Sequence, residues 1–365
     1  VIWYIALAAT AVAFFLSAMA THLAKRVAFR VGMLDIPQRH KAHAQPIPLL
    51  GGCAIFASIL GPCLLAMALA SIWAARGAPA WLPQAFAQYI PGAASKINEA
   101  LVVLAGALAL HVIGIVDDKM NLGPWLKLIA QLAISITVVL MCGIRVLTVL
   151  GEPYSAVASV LWLVAITNSF NFLDNMDGLS AGVGAICAAS LLAAALSVGQ
   201  VFVSAWLCLL VGSLAGFLIH NFPPARIFMG DAGSLIIGYL LGVISMMATY
   251  VNPASPYHAH AYVVLVPLIV MAVPLYDTFS VMFIRIREGR NPMVGDRRHF
   301  SHRLLRRGMS TRTAVLTIWL CTAATAMGAT LLPYTSGWIG SCLILAQTFA
   351  ILAIIAMLEA GESRP

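Results

Sequence analysis

The chain is short of charge. Of its 365 residues only 9% are Asp, Glu, Lys or Arg against 61% hydrophobic, and the mean hydropathy is +0.94. Soluble globular domains lie far from such values, so a water-soluble fold is excluded and an integral membrane protein is implied. Cysteine is sparse and dispersed: Cys53, Cys63, Cys142, Cys187, Cys208, Cys321 and Cys342 form no CxxC pair and fall mostly inside apolar runs. That pattern argues for small buried hydrophobes rather than disulfides or a thiolate metal site. Tandem repeats, low-complexity tracts and long polar stretches are also missing, so residues 1–365 read as a single membrane domain. Strict apolar/polar alternation is absent as well, which excludes a membrane β-barrel.

What is present is a series of continuous apolar runs. A membrane-crossing helix needs ~20 such residues, and eleven runs approach that length, near 1–24, 49–74, 99–116, 125–142, 156–173, 178–198, 201–220, 233–250, 262–284, 314–332 and 338–358. The expected fold is an all-α polytopic membrane protein of about eleven transmembrane helices. Lys25 and Arg26 follow the first run instead of preceding it, so it reads as a spanning helix with its N-terminus outside, not as a signal peptide. The chain opens on Val1 without a methionine, which leaves room for further residues upstream. Threading the runs alternately puts eighteen of the twenty-one Lys and Arg on one side, with Arg76, Lys96 and Arg145 on the other. The basic side is then cytoplasmic. The net charge of +8 accordingly reflects topology and contact with anionic lipid, not nucleic-acid binding. The loop over 76–98 is the longest on the opposite face, and an interfacial helix carrying Trp81 and Tyr89 is expected there.

Lys and Arg alone set this topology, yet all eight aspartates, Asp35, Asp117, Asp118, Asp174, Asp177, Asp231, Asp277 and Asp296, fall on the cytoplasmic side or at cytoplasmic helix ends. Asp117 and Asp118 follow directly on an apolar helix, where adjacent carboxylates repel unless they share a cation or proton. In NSFNFLDNMDG, a continued helix at 100° per residue would put Asn168, Asn171, Asp174, Asn175 and Asp177 on one half-cylinder, with Phe170 the exception on that side. Such a face must look into water or protein rather than lipid. In NFPPARIFMGDAGSL, Pro223 and Pro224 interrupt a helix, and Asp231 precedes a new one expected near Ser234, where either residue could serve as N-cap. Three acid clusters with few Cys or His suit a hard cation, Mg²⁺ or alternatively Mn²⁺, which shares its shell with substrate phosphates. The Arg-rich loop over 284–310, with His299 and His302 one helical turn apart, suits anion and phosphate contact.

Together, DDKMNLGPWLK, NSFNFLDNMDG, NFPPARIFMGDAGSL and DRRHFSH, with GMLDIPQRHKAHAQPIPLLGG ahead of them, resemble the polyprenyl-phosphate N-acetylhexosamine-1-phosphate transferase family. The resemblance covers most of the chain, from Gly32 to about Met309. It implies a Mg²⁺-dependent enzyme of the bacterial inner membrane, with its active site on the cytoplasmic face. Such an enzyme moves a sugar 1-phosphate from a UDP-N-acetylhexosamine to a polyprenyl phosphate and releases UMP; a homodimer is compatible with it. By resemblance, Asp117 and Asp118 work at the lipid phosphate and the metal, Lys127 contacts the diphosphate, and Asn171 and Asp231 bind the metal. Asp174 is a further active-site acid, while Asp177, Asn221 and Phe228 line the nucleoside pocket. His299 is the essential histidine of the last loop, with Arg297 and His302 as substrate contacts.

Two positions depart from the family's usual pattern. Asn175 stands where DGxDG has glycine, and Ser301 stands where HxHH has histidine. The triple histidine of lipid I synthases is absent, which favours UDP-N-acetylglucosamine or a relative over a muramoyl-peptide donor. A phospho-muramoyl-pentapeptide transferase is therefore the near alternative. An ion-coupled secondary transporter is the distant one; transporter sites lie near the midplane of repeat-related broken helices, and only Pro267 and Pro274 predict a bent helix here.

Overall fold

The computed structural model describes residues 2–36, 45–248, 261–291, 298–335 and 338–360. Among the described residues fifteen α-helices follow in chain order: α1 (Ile2–Val31), α2 (Gly51–Arg76), α3 (Gln84–Ala87), α4 (Ile90–Ser95), α5 (Ile97–Met120), α6 (Pro124–Cys142), α7 (Tyr154–Leu173), α8 (Leu179–Ser197), α9 (Val201–Asn221), α10 (Asp231–Met247), α11 (Val266–Val270), α12 (Ala272–Arg287), α13 (Phe300–Arg306), α14 (Thr311–Leu331) and α15 (Trp338–Ala360). The chain is an all-α polytopic membrane protein. Each of the eleven apolar runs became helical. Among the described residues nine helices are long and apolar enough to cross a membrane, and a pair bent by 64° between Val270 and Ala272 brings the number to ten. That bend is the one Pro267 and Pro274 predict.

The remaining run, near 233–250, is α10; it is shorter and differs in kind. Every residue from Ala232 to Ser245 is buried. A helix apolar on all sides finds partners on all sides only in the middle of a bundle, and α10 packs against α7, α5, α2 and α8. Its N-terminal end lies close against α5: the His111 side chain donates from Nδ1 to the carbonyl of Ala232 at 2.9 Å, and at Gly114 the two backbones approach so closely that a Cβ would lie 2.4 Å from the Ala232 nitrogen. Backbone atoms cannot rotate aside as a side-chain tip can. Gly114→Ala is therefore expected to destabilise the fold by about 1–3 kcal/mol, the cost of overpacking, seen as a lower thermal midpoint of the purified protein. A midpoint equal to wild type would contradict this contact.

Local sequence sets the helix ends. Asn121 (φ 55°) and Gly143 (φ 64°) take left-handed conformations to stop α5 and α6, while Pro124 opens α6. The expected interfacial helix over 76–98 is instead two short helices, α3 and α4, with Trp81 and Tyr89 outside them. Trp81 is 73% exposed and meets Trp73 edge-on. A short antiparallel pair, β1 (Leu34–Asp35) with β2 (Ile47–Pro48), was not foreseen. Its second strand continues toward the loop before α10: the Phe228 N–H donates to Pro48 O at 2.8 Å, and the Gly51 N–H to Phe228 O at 2.9 Å.

The helix carrying Asn168 and Asn171 does not continue through Asp177. It ends at Leu173, Asp174 leaves helical geometry (ψ 46°), and Gly178 (φ 70°) caps the start of α8. The 100° wheel therefore fails beyond Leu173. Phe170, the expected exception on the polar face, is fully buried in the core. Asn168 turns to Gln131, donating to its Oε1 at 2.5 Å. Carbonyls freed at the end of α7 find side chains: Asn175 Nδ2 donates to Phe172 O at 2.7 Å and Ser180 Oγ to Phe170 O at 3.1 Å.

Candidate active site

Asp117 and Asp118 sit in the last turn of α5, and consecutive helical residues diverge by 100°, so the two carboxylates part. Asp118 turns to the start of α10, where Oδ1 accepts the Asp231 N–H at 2.8 Å and Oδ2 the Ala232 N–H at 3.2 Å. The first N–H groups of a helix lack internal partners, and its dipole favours a negative charge there. Close approach needs Gly230: its φ is +63°, and a Cβ would fall 2.4 Å from Asp118 Oδ2. The N-cap expected from Asp231 or Ser234 is thus supplied from another helix. α10 begins at Asp231 itself, after Gly230.

Asp117 looks the other way. Its Oδ2 accepts Lys127 Nζ at 3.0 Å, and the same ammonium reaches Asp231 Oδ2 at 2.8 Å. Three helices, α5, α6 and α10, are joined through that one cation. The adjacent pair Asp117 and Asp118 thus parts without a shared cation between them, and the carboxylates that share Lys127 are Asp117 and Asp231. Asp117 Oδ1 is buried and meets no hydrogen-bond partner among the described residues.

Around this centre, Asn171 Nδ2 donates to Ser234 Oγ at 3.0 Å, which leaves its carbonyl oxygen as the end able to act as a ligand. Asp174 caps α7. Withdrawal from water, and then the charges of Asp231, Asp118 and Asp177, hold its carboxyl well above the ordinary range. A cation brought near would relieve that repulsion. Asp177 Oδ2 accepts the Ala225 N–H at 2.9 Å. Asn221, only 3% exposed, accepts the Gly178 N–H at Oδ1 (2.9 Å) and donates from Nδ2 to Ile227 O (2.8 Å). Both ends of that amide are engaged by backbone, so Asn221 stitches the 174–178 turn to the loop before α10. Phe228 lies in that loop, half-buried beside β2.

His299 joins from the far end of the chain. It is 4% exposed and precedes α13. Its Nδ1–H donates to Asp277 Oδ2 at 2.8 Å, and Asp277 Oδ1 accepts the Phe300 N–H at 2.7 Å. The Phe172 ring stands edge-on to the imidazole at 6.0 Å, and the Arg285 guanidinium carbon lies 5.7 Å from that ring's centroid. α13 is also tethered at its middle: Arg303 pairs with Glu359 at 3.0 Å and donates to Ser280 Oγ at 3.1 Å, while the Tyr276 hydroxyl donates to Glu359 Oε2 at 3.2 Å. His302 is half-buried on α13. Arg297 and Asp296 lie outside the described residues. Asp277 and Glu359 received no site role from the sequence. The signal that could have found Asp277 is an acid inside an apolar run just past a predicted bend.

The glycosyl transferase family 4 model matches residues 100–249. A probable undecaprenyl-phosphate N-acetylglucosaminyl 1-phosphate transferase of Bacillus subtilis (strain 168) is 30% identical over 348 residues, 92% of this chain and 87% of that protein. The chain belongs to glycosyl transferase family 4. A decaprenyl-phosphate N-acetylglucosaminephosphotransferase of Mycolicibacterium smegmatis is 32% identical over 85% of the chain and 78% of its own length. An undecaprenyl-phosphate alpha-N-acetylglucosaminyl 1-phosphate transferase of Escherichia coli (strain K12) is 27% identical over 86% and 80%. In this family 4 member the matched span runs from α5 to α10 and holds the acidic centre, whereas the His299 helix lies beyond it.

Among the described residues of this family 4 chain, no three or more His, Cys, Asp or Glu side chains are grouped to hold a metal ion. A closed protein cage is therefore not the fit. Mg²⁺ does not require one: it keeps several waters and is held by one or two carboxylates plus substrate phosphates. The unpartnered Asp117 Oδ1, Asp231 and the Asn171 carbonyl oxygen are hard oxygen donors that fit a metal of this kind.

Proposed function

We propose that this family 4 member transfers N-acetylglucosamine 1-phosphate, or a related N-acetylhexosamine 1-phosphate, from a UDP-sugar to a polyprenyl phosphate. The observation that carries this reading is the Lys127 ammonium held between Asp117 and Asp231, where α5, α6 and α10 join beside the end of α7 that presents Asn171 and Asp174. An oxygen of the lipid phosphate attacks the sugar-bearing phosphorus of the donor, the bond to the uridylate phosphate breaks, and UMP leaves with the electron pair. Since the nucleophile is already anionic, positioning and charge neutralisation can drive the transfer without a protein nucleophile.

Lys127 trades a carboxylate for the diphosphate and offsets charge on the leaving phosphate. Asp231, Asp117 and Asn171 would hold Mg²⁺, which when bound neutralises charge on the phosphates. Asp118, with both oxygens on the start of α10, holds Asp231 in place and is poorly disposed to form a covalent intermediate. Asp277 fixes the imidazole of His299 through Nδ1, so Nε2 is the nitrogen kept for substrate. The face bearing this centre is assigned to the cytoplasm of a bacterial inner membrane, because nucleotide sugars are met there and the basic loops share that side.

Membership of the family sets the transporter reading aside; a muramoyl-peptide donor remains the alternative to be tested. Purified protein with undecaprenyl phosphate, Mg²⁺ and a panel of UDP-sugars is expected to release UMP with UDP-N-acetylglucosamine. Silence with every donor would overturn the proposal. Release with the muramoyl-pentapeptide nucleotide alone would reassign the donor.

A further inference from the structure

The two positions at which the chain departs from the family pattern meet each other. Asn175 and Ser301 stand 126 residues apart, and Ser301 Oγ donates to Asn175 Oδ1 at 2.5 Å. The amide's other end is also engaged, Nδ2 donating to Phe172 O at 2.7 Å. A continuous chain of hydrogen bonds thus runs from the last turn of α7 through Asn175 to the first turn of α13. Ser301 is 2% exposed, so water cannot readily replace the lost partner. Phe172, at one end of this chain, also contacts the His299 ring, and His299 lies two residues before Ser301 at the other.

We propose that Asn175 and Ser301 form a positioning latch that holds α13, and with it His299, against the turn bearing Asp174 and Asp177. Neither side chain is asked to touch substrate. Asp277 sets the tilt of the imidazole from the α12 side, and the latch sets the distance of its helix from the α7–α8 turn. The pair is also a matched volume. Asn with Ser carries the same number of side-chain heavy atoms as Gly with His, so exchanging both residues conserves volume, while a histidine at 301 opposite an intact Asn175 overfills a buried site. The two departures are therefore one substitution in physical terms.

The test uses the full-length protein and two readouts, of which only the kinetic one rests on the proposed transfer reaction. Asn175→Ala and Ser301→Ala are each expected to lower kcat roughly five-fold, the worth of one buried neutral hydrogen bond, with KM for the UDP-sugar within about two-fold of wild type. The double variant should be little worse than the weaker single, since both changes break the same bond. Ser301→Thr, which keeps the hydroxyl, should stay near wild type. Ser301→His should lose more than Ser301→Ala and recover at least about five-fold when combined with Asn175→Gly.

Amide hydrogen exchange over residues 298–306 should quicken in both alanine variants and return toward wild type in Ser301→Thr. Multiplying kinetic losses in the double variant, or unchanged exchange in both singles, would overturn the latch. If Ser301→Ala fails to fold, the Ser301→His and Asn175→Gly/Ser301→His comparison decides in its place. A wild-type protein that releases no UMP would refute the transfer reading, and the exchange measurement would still judge the latch.

Discussion

Replacing Asp231 by asparagine is expected to lower UMP release roughly 10²–10³-fold, the scale set by removing one preorganised electrostatic group from a reaction centre, while the protein stays folded. The substitution is nearly isosteric. It leaves the Asp231 backbone N–H on Asp118, so the start of α10 keeps its cap, and α10 is otherwise anchored by the apolar burial of Ala232 to Ser245. What changes is the charge. Lys127 Nζ now bridges two carboxylates at 3.0 and 2.8 Å; with the second gone, the ammonium relaxes onto Asp117 and the carboxylate proposed as a ligand for the hard cation disappears. Asp117→Asn should act in the same direction, because it removes the other partner of the same lysine. Comparing initial rates at saturating substrates with thermal midpoints separates chemistry from folding. Activity within about ten-fold of wild type in folded Asp231→Asn would show that the acidic centre is not where transfer occurs.

Asp277→Asn is expected to cost roughly a hundred-fold in kcat, at the upper end of what loss of a partner that orients a functional histidine produces, with a smaller effect on KM. Asp277 accepts from His299 Nδ1 at 2.8 Å and from the Phe300 N–H at 2.7 Å. Asparagine can still accept once, and the Phe300 N–H, as part of the backbone, claims that oxygen. The remaining NH₂ then faces Nδ1, which must become an acceptor, and the neutral ring's proton moves to Nε2. Geometry survives; the face offered to substrate does not. The discriminating measurement is the combination with His299→Ala. If Asp277 acts through His299, Asp277→Asn should add little to the loss already caused by His299→Ala. A full second factor would show that Asp277 acts independently.

Much of this protein was legible in one dimension because its strongest forces are periodic or cumulative along the chain. Shortage of charge and continuous apolar runs marked the membrane helices, and the runs became helical, the one near 262–284 as the bent pair α11 and α12, since a backbone leaving water must satisfy its own hydrogen bonds. Pro267 and Pro274 marked the bend, which the structure places at 64°. The acids at helix ends marked the region of the candidate site, because ionised groups are too costly to place at random in apolar sequence. Where a continued helix was assumed, from Asn168 through Asp177, the reading failed at Leu173. Gly178 and the polar groups of Asn175 and Asn221 make the turn there, and such turn chemistry overrides a wheel.

The sequence by itself determined that the chain is a membrane helix bundle, which acids and basic loops cluster at its helix ends, and which family those motifs resemble. Only the tertiary structure decided what each acid does. Asp118 tethers the start of α10, Asp117 and Asp231 share Lys127, Asp277 orients His299, and Asn175 reaches Ser301. Hydropathy and helical period are sums over neighbours in the chain, so they are written locally. The direction of a carboxylate at a helix end is settled by whichever donor the packing of another helix brings within hydrogen-bond reach, and that donor lies up to more than a hundred residues away.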